Sequence, residues 1–458
     1  MDAKRSRRTE RIGYAAFQSL SLSQKLFLGV MLFAPLLWGS NRGIVWMLEL
    51  LIILGLVLAN RKMIFRAFAT SRHDFGKHVS VLCGAAIAWF GLLLFRGLPL
   101  GLPVWQALNF SDSAFVSDVF GRAFLGSPAI SFDQDALLSQ YLQFVLYLGV
   151  LVFAFAHAGD RVFRGLFYRT VLLSVILSVG IACSSFLMQL LSAQAVAQWS
   201  GGFANYNHFA LHVVLGFSAW MLLRWSELNA ARASEHQGCG VSGHWAVGVT
   251  LLVALGLAAS RGGYIIFGVV VVLGMFFARA QRSFAGYGHM RWWTLGGGLV
   301  LLITLVLGGG LQRFHQLSFD ADRIAIWRSA WVMVEQFPWF GVGGGSFQWV
   351  FPYFKQAGLS DKLYVYAHND YLQLVVEYGI AGLVIAALAV VLIVSWVLQA
   401  KTAGKMRSRE FAAFWLICSP VALHAAVDFP LHIPAIVMTV VCIIGIALGS
   451  TLNCSVRK

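Results

Sequence analysis

The sequence predicts an all-α, polytopic membrane protein from its composition, its long apolar segments and the placement of its basic residues. Of the 458 residues, 59% are hydrophobic and only 12% are charged, and the mean hydropathy is +0.74. Soluble domains are about 45–50% apolar and about 25% charged, so a soluble globular protein is excluded. The composition also differs from that of disordered, collagenous and coiled-coil chains, which leaves the lipid bilayer as the solvent.

About twelve segments are apolar and long enough to count as membrane spans, since a bilayer core about 30 Å thick needs about 20 mostly apolar helical residues. The division between the seventh and eighth predicted spans has an alternative. The residues on either side of Ser260 and Arg261 would fit either one long helix or two shorter ones, and merging them would move every later loop to the other side. The predicted spans are 20–39, 43–59, 78–95, 137–156, 166–191, 207–223, 245–260, 263–278, 293–310, 371–399, 411–428 and 433–449.

Basic residues alternate between the two sides of these spans, which orients the chain under the positive-inside rule. With the N-terminus inside, the inner segments, among them 157–169, 224–244 and 400–410, hold 25 of the 34 Lys and Arg residues. Merging the pair at Arg261 would place the basic stretch 279–291 outside, so the break is kept and both termini are expected in the cytoplasm. The formal charge of +15 therefore reflects orientation and contact with anionic lipids. Nucleic acid is not expected as a partner.

The cysteines and the N-terminal residues do not indicate a secreted protein. None of the six cysteines forms a CxxC pair, and four lie inside apolar runs, so neither a disulfide framework nor a cysteine metal site is expected. The basic start "MDAKRSRRTER" is not followed by a short apolar run with a small-residue cleavage site. We therefore expect no removable signal peptide.

Two outer loops are long, about 96–136 and 311–370, and function is expected there because loops on a rigid scaffold can be shaped freely. The second begins with an amphipathic pattern for which Asp322 fits an N-cap and Pro338 ends the helix. We expect this helix to lie at the outer membrane face. Its predicted apolar face comprises Ile324, Trp327, Ala330, Trp331 and Val334.

Outer basic residues are informative because the positive-inside rule selects against them. Arg261 interrupts a stretch that is otherwise apolar from 245 to 278, and a guanidinium at bilayer depth is costly unless it is paired or faces water. It could reach the headgroups or pair with a carboxylate. The functional interpretation is a phosphate or diphosphate ligand, which suits a planar and permanently charged group. Arg323 and Arg328, taken alone, are typical of solvated residues at a helix start.

The segment "YAHNDYLQLVVEYGIAGL", 366–383, places His368, Asn369 and Asp370 at the outer mouth of the tenth span. Asn369 or Asp370 can serve as the N-cap. His368 is a candidate general base for a hydroxyl, because histidine accepts a proton near neutral pH. The alternative is a structural residue at the helix cap or the interface.

Two further patterns are weaker. The glycines at 341 and 343–345 could bring backbone N–H groups to an anion, or form a flexible turn between aromatic anchors. His424, Asp428 and His432 have the four-residue spacing of metal ligands, but prolines interrupt that helix, and we expect no metal site.

Together these blocks resemble the O-antigen ligase and polymerase family of bacterial integral membrane glycosyltransferases. Over the first 200 residues the resemblance rests on hydropathy alone. The matching pieces are "GGFANYNHFA" at 201–210, "SRGG" at 260–263, "DRIAIWRSAW" at 322–331 with "FPWFGVGGGSF" after it, "HNDYLQLVVEYGIAGL" at 368–383 and "DFPLHIPA" at 428–435.

The resemblance implies the C-type (GT-C) membrane architecture with a long periplasmic loop between the ninth and tenth spans. The N-terminal helices would lie in 1–200. The O-antigen ligase-like region would occupy 201–449, with its catalytic periplasmic loop at 311–370. Residues 450–458 would form a cytoplasmic tail.

The resemblance also implies the activity. It implies an inverting glycosyltransferase of the bacterial inner membrane that uses neither metal nor cofactor and takes its glycan from undecaprenyl diphosphate at the periplasmic face. The acceptor would be a sugar hydroxyl of lipid A–core in a ligase, which we place first. In an O-antigen or exopolysaccharide polymerase, which is the alternative, the acceptor would be another lipid-linked repeat unit.

The family's essential residues correspond to Arg261, Arg323 and His368. The two arginines would bind the diphosphate and His368 would take the acceptor proton. Arg328, Asn369 and the glycines at 341 and 343–345 would be supporting substrate-binding residues. A transporter or flippase of lipid-linked sugar is the non-enzymatic alternative. It predicts charges deep in several spans, whereas the notable basic residues here lie at one rim.

Overall fold

The computed structural model describes residues 15–96, 134–192, 199–233, 242–280, 318–356, 358–360 and 362–452. Within these ranges the regular structure is helical and contains no strand, which confirms the all-α class. Short 3-10 turns follow α1 and precede α13. The helices, numbered in chain order, are α1 Leu22–Phe33, α2 Gly43–Ala59, α3 Arg61–Arg96, α4 Gln134–His157, α5 Arg161–Leu191, α6 Tyr206–Ala233, α7 Ser242–Ala258, α8 Arg261–Ala280, α9 Ser318–Gln336, α10 Phe347–Phe354, α11 Asp370–Thr402, α12 Ser408–Ala425 and α13 Pro434–Gly449.

Several helices can cross a membrane, in agreement with a polytopic protein. In the described part of the chain, seven are long and apolar enough, or eight if α2 and the first part of α3 form one bent span. The count of twelve stays a prediction. Its span 293–310 lies outside the described residues, and 20–39 and 245–260 contain the shorter apolar helices Leu22–Leu36 and Ala246–Ala258.

The basic residues 60–77, which lie between the second and third predicted spans, are largely helical. α3 occupies most of it and is kinked at Phe75, where φ is −135° and ψ is 34°. Its first part, Arg61–Arg72, is bent by 72° from α2. The segment is charged, but it is rich in Arg, Lys, Met and Ala, which are good helix formers.

The predicted break before Arg261 is present. α7 ends at Ala258 and α8 begins at Arg261. Ala259 has a left-handed backbone with φ of 50°. Ser260 caps α8, because its Oγ accepts a hydrogen bond from the Gly263 N–H at 3.1 Å. Arg261 therefore stands at a helix start, not in the middle of a span.

The bundle packs closely around α13 and α6, in which 72% and 61% of the most apolar stretch is buried. On α13, a Cβ at Gly445 would lie 2.5 Å from the Leu151 carbonyl oxygen of α4, and one at Gly449 would overlap the Phe155 carbonyl. This GxxxG spacing lets two helix backbones approach, which matters in a bilayer because packing drives helix association there.

A separate small core forms around α9, α10 and the start of α11, and includes Met333, Phe337, Phe347 and Phe351. Helix α9 ends before Pro338 as predicted, but it begins at Ser318. The predicted N-cap Asp322 is therefore an exposed residue inside the helix.

Helix α9 carries large apolar side chains on a buried face and on an exposed face. Ile326, Ala330 and Met333 are buried, whereas Ile324 and Trp331 are 45% and 55% exposed. Exposed apolar side chains are what a helix on a membrane surface presents to the lipid, and the placement of α9 at the outer membrane face stays a prediction.

Helix α11 is interrupted at Gly379, where φ is 63° and ψ is −164°. The glycine-rich loop docks at this break. Ile380 N–H donates to the Pro338 carbonyl at 2.7 Å, and Val342 and Gly343 N–H groups donate to the carbonyls of Val376 and Glu377 at 2.8 and 2.9 Å. The loop is therefore bonded to the helix, and these amides are not directed at an anion.

Gly379→Ala is expected to destabilise the docked loop, because the added Cβ would overlap the Trp339 carbonyl and the backbone conformation is accessible almost only to glycine. Thermal unfolding of the purified protein in detergent, followed by tryptophan fluorescence, measures the loss. Gly404→Ala is the control, since Gly404 has φ of 69° but no atom within 4 Å of a Cβ. Gly404→Ala should lower the free energy of unfolding only by the cost of backbone strain, about 1–3 kcal/mol. Equal losses would contradict a docking role for Gly379.

Candidate active site

Three segments that are distant in sequence meet around the carboxylate of Asp428, which lies in the turn between α12 and α13. Its Oδ2 accepts a hydrogen bond from Asn207 Nδ2 at 2.8 Å. Its Oδ1 lies 3.2 Å from His368 Nδ1, and His424 Nε2 lies 3.6 Å from Oδ2. The Asp428 side chain is only 1% exposed, so the carboxylate is held inside the protein by these partners.

The charge state of Asp428 follows from these contacts. Burial by itself raises the pKa of a carboxyl group, but the contacts with His368 and His424 outweigh it and hold the pKa of Asp428 well below its usual range. The carboxylate is therefore ionised at neutral pH.

A chain of hydrogen bonds leads from Asp428 to the start of α8. Ser260 Oγ donates to Asn207 Oδ1 at 2.8 Å, and Asn207 donates onward to Asp428. Because Ser260 is also the N-cap of α8, this chain positions the helix start relative to the carboxylate. Arg261 is the next residue, which brings the predicted arginine to the edge of the cluster.

His368 has a strained backbone that its neighbours hold in place. Its φ is 51°, a left-handed value that residues other than glycine rarely adopt. Ala367 beside it is bound on both sides, since its N–H donates to Gln373 Oε1 at 2.9 Å and its carbonyl accepts from Trp327 Nε1 at 2.9 Å. The His368 side chain is 30% exposed. A partly exposed imidazole anchored to a buried carboxylate has the arrangement of a general base.

Trp327 connects the helix that carries Arg323 to the segment that carries His368. Arg323 is partly buried and lies one helical turn before Trp327 on α9. The indole of Trp327 binds the residue preceding His368. The structure thus places Arg323 and Arg261 on two different helices that both connect to the His368 region. Arg328, in contrast, is exposed on α9.

Asn369 is the N-cap of α11. Its Oδ1 accepts hydrogen bonds from the N–H groups of Tyr371 and Leu372 at 3.1 and 3.0 Å. The capping alternative is therefore the one present, with Asn369 and not Asp370 as the cap. Its predicted part in substrate binding stays a prediction.

Asp370 and His432 form a second carboxylate–imidazole pair, with 2.7 Å between Oδ1 and Nδ1. The other Asp370 oxygen accepts from the Leu431 N–H at 2.8 Å. Burial alone lowers the pKa of His432, but the hydrogen bond to Asp370 outweighs it and raises the pKa. This pair ties the start of α11 to the turn before α13, beside the His368–Asp428 pair.

The three residues with metal-ligand spacing do not form one site. His424 lies against Asp428, while His432 is bound to Asp370. Among the residues that the structure describes, no group of three or more His, Cys, Asp or Glu side chains is arranged to hold a metal ion.

The sequence alone does not single out Asn207 and Ser260, and it presents Asp428 only as a metal candidate. All three lie in the quoted motif blocks, so the signal was their membership in separate blocks. That they contact one another depends on the fold.

Comparison with known proteins identifies one region. Residues 246–387 match the family model described as O-antigen ligase, and this stretch includes Arg261, Arg323 and His368. The match confirms the resemblance drawn from the motifs. It supports a glycosyltransferase of O-antigen ligase or polymerase type, a membrane enzyme that acts on lipid-linked glycans. No curated protein matches the chain.

Proposed function

We propose that this chain transfers a glycan from undecaprenyl diphosphate to a sugar hydroxyl. The match of residues 246–387 to the O-antigen ligase family model supports this proposal. The reaction takes place at the periplasmic face of the bacterial inner membrane, with both termini cytoplasmic. Residues 1–200 carry the N-terminal helices, 201–449 carry the catalytic region, and 450–458 form the tail. The acceptor that we place first is lipid A–core.

The contact between His368 and Asp428 is the observation that carries this proposal. With its proton on Nδ1, the imidazole donates to Asp428 Oδ1 at 3.2 Å, which leaves Nε2 able to accept a proton. The acceptor hydroxyl gives its proton to Nε2 as its oxygen attacks the anomeric carbon. The buried carboxylate then stabilises the imidazolium that forms.

The arginines act on the leaving group. As the bond between the acceptor oxygen and the anomeric carbon forms, the bond to the phosphate oxygen breaks and undecaprenyl diphosphate leaves as an anion. Arg261 and Arg323 stabilise this developing charge by charge-assisted hydrogen bonds. Attack from the face opposite the diphosphate inverts the anomeric centre. Arg328 and Asn369 support donor binding at the rim.

Arg261→Lys is expected to lower kcat by about 10²- to 10³-fold, the range for removing one group that stabilises transition-state charge. Lysine keeps the charge but loses the two-pronged geometry that suits phosphate. Initial rates of the purified protein on a defined lipid-linked glycan measure the effect. Arg42→Lys is the matched control, because Arg42 is exposed and its guanidinium lies over the Trp38 ring at 5.6 Å. Equal rates in the two variants would remove Arg261 from the diphosphate site.

Deletion of the gene, followed by analysis of the surface glycan, tests the proposed acceptor. Lipid A–core without polymer, while long lipid-linked polymer persists, is expected for a ligase. Single repeats on the core would instead indicate a polymerase. Loss of a capsule or secreted polysaccharide with intact lipopolysaccharide would indicate an exopolysaccharide enzyme.

The transporter alternative makes a different prediction. If the chain moved lipid-linked sugar, substitution of Arg261 would trap the donor on the inner side of the membrane. A glycosyltransferase variant would leave the donor accumulating on the outer side.

A further inference from the structure

A second polar site lies where the start of α5, the C-terminal part of α6 and the start of α12 meet. It shares no residue with the cluster around Asp428, and all its residues belong to the predicted inner segments 157–169, 224–244 and 400–410. The site is a cleft of about 210 Å³ lined by Arg161, Arg164, Trp225, Ser226, Arg407, Arg409 and Glu410.

One ion pair forms the wall of this cleft. Arg164 Nε lies 3.0 Å from Glu410 Oε1, and the two side chains are 8% and 3% exposed. Arg164 also donates to the Ala158 carbonyl. Because Glu410 balances its charge, Arg164 serves the packing of α5 against α12. Arg161, Arg407 and Arg409 also line the cleft, so its four arginines outnumber its single carboxylate.

Buried donors in the lining indicate a ligand with acceptor atoms. Arg409 lies over the Tyr168 ring at 4.9 Å, and its Nη1 donates to Ser226 Oγ at 3.4 Å. Its Nε and the indole Nε1 of Trp225 are buried, and neither has a hydrogen-bond partner among the described residues. Buried donors are nearly always satisfied, and a phosphate supplies both acceptor oxygens and negative charge.

A carboxylate oxygen of Glu410 on the other side of the cleft restricts the class of ligand that fits. Glu410 Oε2 is buried and has no hydrogen-bond partner in the described part of the chain. A bare phosphate would repel this oxygen, whereas a headgroup hydroxyl would donate to it. α12 starts here, and its N-cap Arg407 makes no side-chain capping bond, so the positive end of the helix adds to the attraction for an anion.

We propose that this cleft binds the headgroup of an anionic glycerophospholipid of the inner leaflet. The phosphate is held by Arg161, Arg407 and Arg409 with the Trp225 N–H, and a glycerol hydroxyl donates to Glu410. Anionic inner-leaflet lipids are attracted to basic groups near the membrane surface. The bound lipid joins α5, α6 and α12 at the end of the bundle predicted to face the cytoplasm. The proposal is independent of the proposed glycosyl transfer.

Native mass spectrometry of the full-length protein, supplied with either phosphatidylglycerol or phosphatidylcholine, tests the site. The unmodified protein should retain phosphatidylglycerol selectively. The double variant Arg407→Gln, Arg409→Gln should bind it roughly twenty-five-fold more weakly, since each arginine near an anionic membrane surface contributes roughly fivefold to affinity. Arg169→Gln is the matched control, because Arg169 is exposed on α5 and removes the same charge without lining the cleft.

Equal retention of phosphatidylglycerol by the double variant and the control would overturn the proposal. Arg161→Gln tests the site with a substitution that should not disturb folding, because Arg161 is an exposed residue on a different helix. It should weaken lipid binding without changing the melting temperature in the absence of lipid, and unchanged binding would count against the site. A final measurement uses inorganic phosphate in place of lipid. A stabilisation by phosphate alone equal to that by phosphatidylglycerol would assign the cleft to a soluble anion and reject the lipid.

Discussion

Replacing His368 with alanine is expected to lower the rate of glycosyl transfer by about 10²- to 10⁴-fold, the range for loss of a positioned general base. The acceptor hydroxyl would then have no group to receive its proton as it attacks. Purified variant and unmodified protein are compared on a defined lipid-linked glycan with saturating acceptor, so that kcat is measured separately from KM. The loss should fall on kcat.

His368→Gln separates proton transfer from structure. A glutamine amide can still donate to Asp428, but it does not take up a proton at neutral pH. This variant should therefore fold normally and remain as inactive as the alanine variant. His78→Ala is the matched histidine control, because His78 lies on α3, bonded to Ser395 at 3.0 Å. A glutamine variant with near-normal kcat would show that His368 acts only in positioning.

Replacing Asp428 with asparagine is expected to lower kcat by about 10²- to 10⁴-fold as well, although Asp428 does not touch the substrate. An amide in this position can donate to His368 Nδ1, which favours the tautomer with the proton on Nε2. That tautomer cannot accept the proton of the hydroxyl, and the same change of aspartate to asparagine in a serine-protease triad acts through the wrong histidine tautomer. KM for the lipid-linked donor should change little, because the arginines remain in place.

The same carboxylate also contributes to the stability of the fold, and this contribution depends on pH. Because the pKa of Asp428 is held well below its usual range, the ionised form stabilises the fold above the unfolded-state pKa of about 3.9. This contribution is lost as the pH falls through the lower folded-state value. Asp428→Asn should therefore remove part of the acid sensitivity of thermal unfolding. Asp428→Glu should recover part of the activity, and a variant with full kcat after Asp428→Asn would reject the positioning role.

The stability contributed by the Asp370–His432 pair depends on pH in the opposite direction. The pKa of His432 is raised, so the contribution of its pair with Asp370 is fully present below the unfolded-state pKa of about 6.5 and is lost as the pH rises through the folded-state value. The two pairs lie side by side in the turn before α13. The cluster is therefore expected to be most stable in mildly acidic to neutral solution.

Helix boundaries and caps were predicted correctly from the sequence where neighbouring residues determine them. The break before Arg261 was predictable because it follows from counting charges on either side, and the serine that caps α8 is the neighbouring residue. The N-cap at Asn369 was one of two alternatives for the same reason. Asp322 shows the limit, since a good capping side chain became a helix-interior residue when α9 extended back to Ser318. Neighbouring turns and packing, not capping propensity, set that boundary.

Composition and the distribution of basic residues were enough to establish a helical membrane protein, and the motif blocks were enough to indicate its family, because apolar length, charge and short motifs can be read from consecutive residues. The pairing of His368 with Asp428, 60 residues apart, and the link from Asp428 to Asn207, 221 residues away, required the packed bundle. Contacts of this kind depend on which helix ends lie together, and that is decided by helix packing across the whole chain. The arginine cleft arose in the same way, from three segments that share only their basic character in sequence.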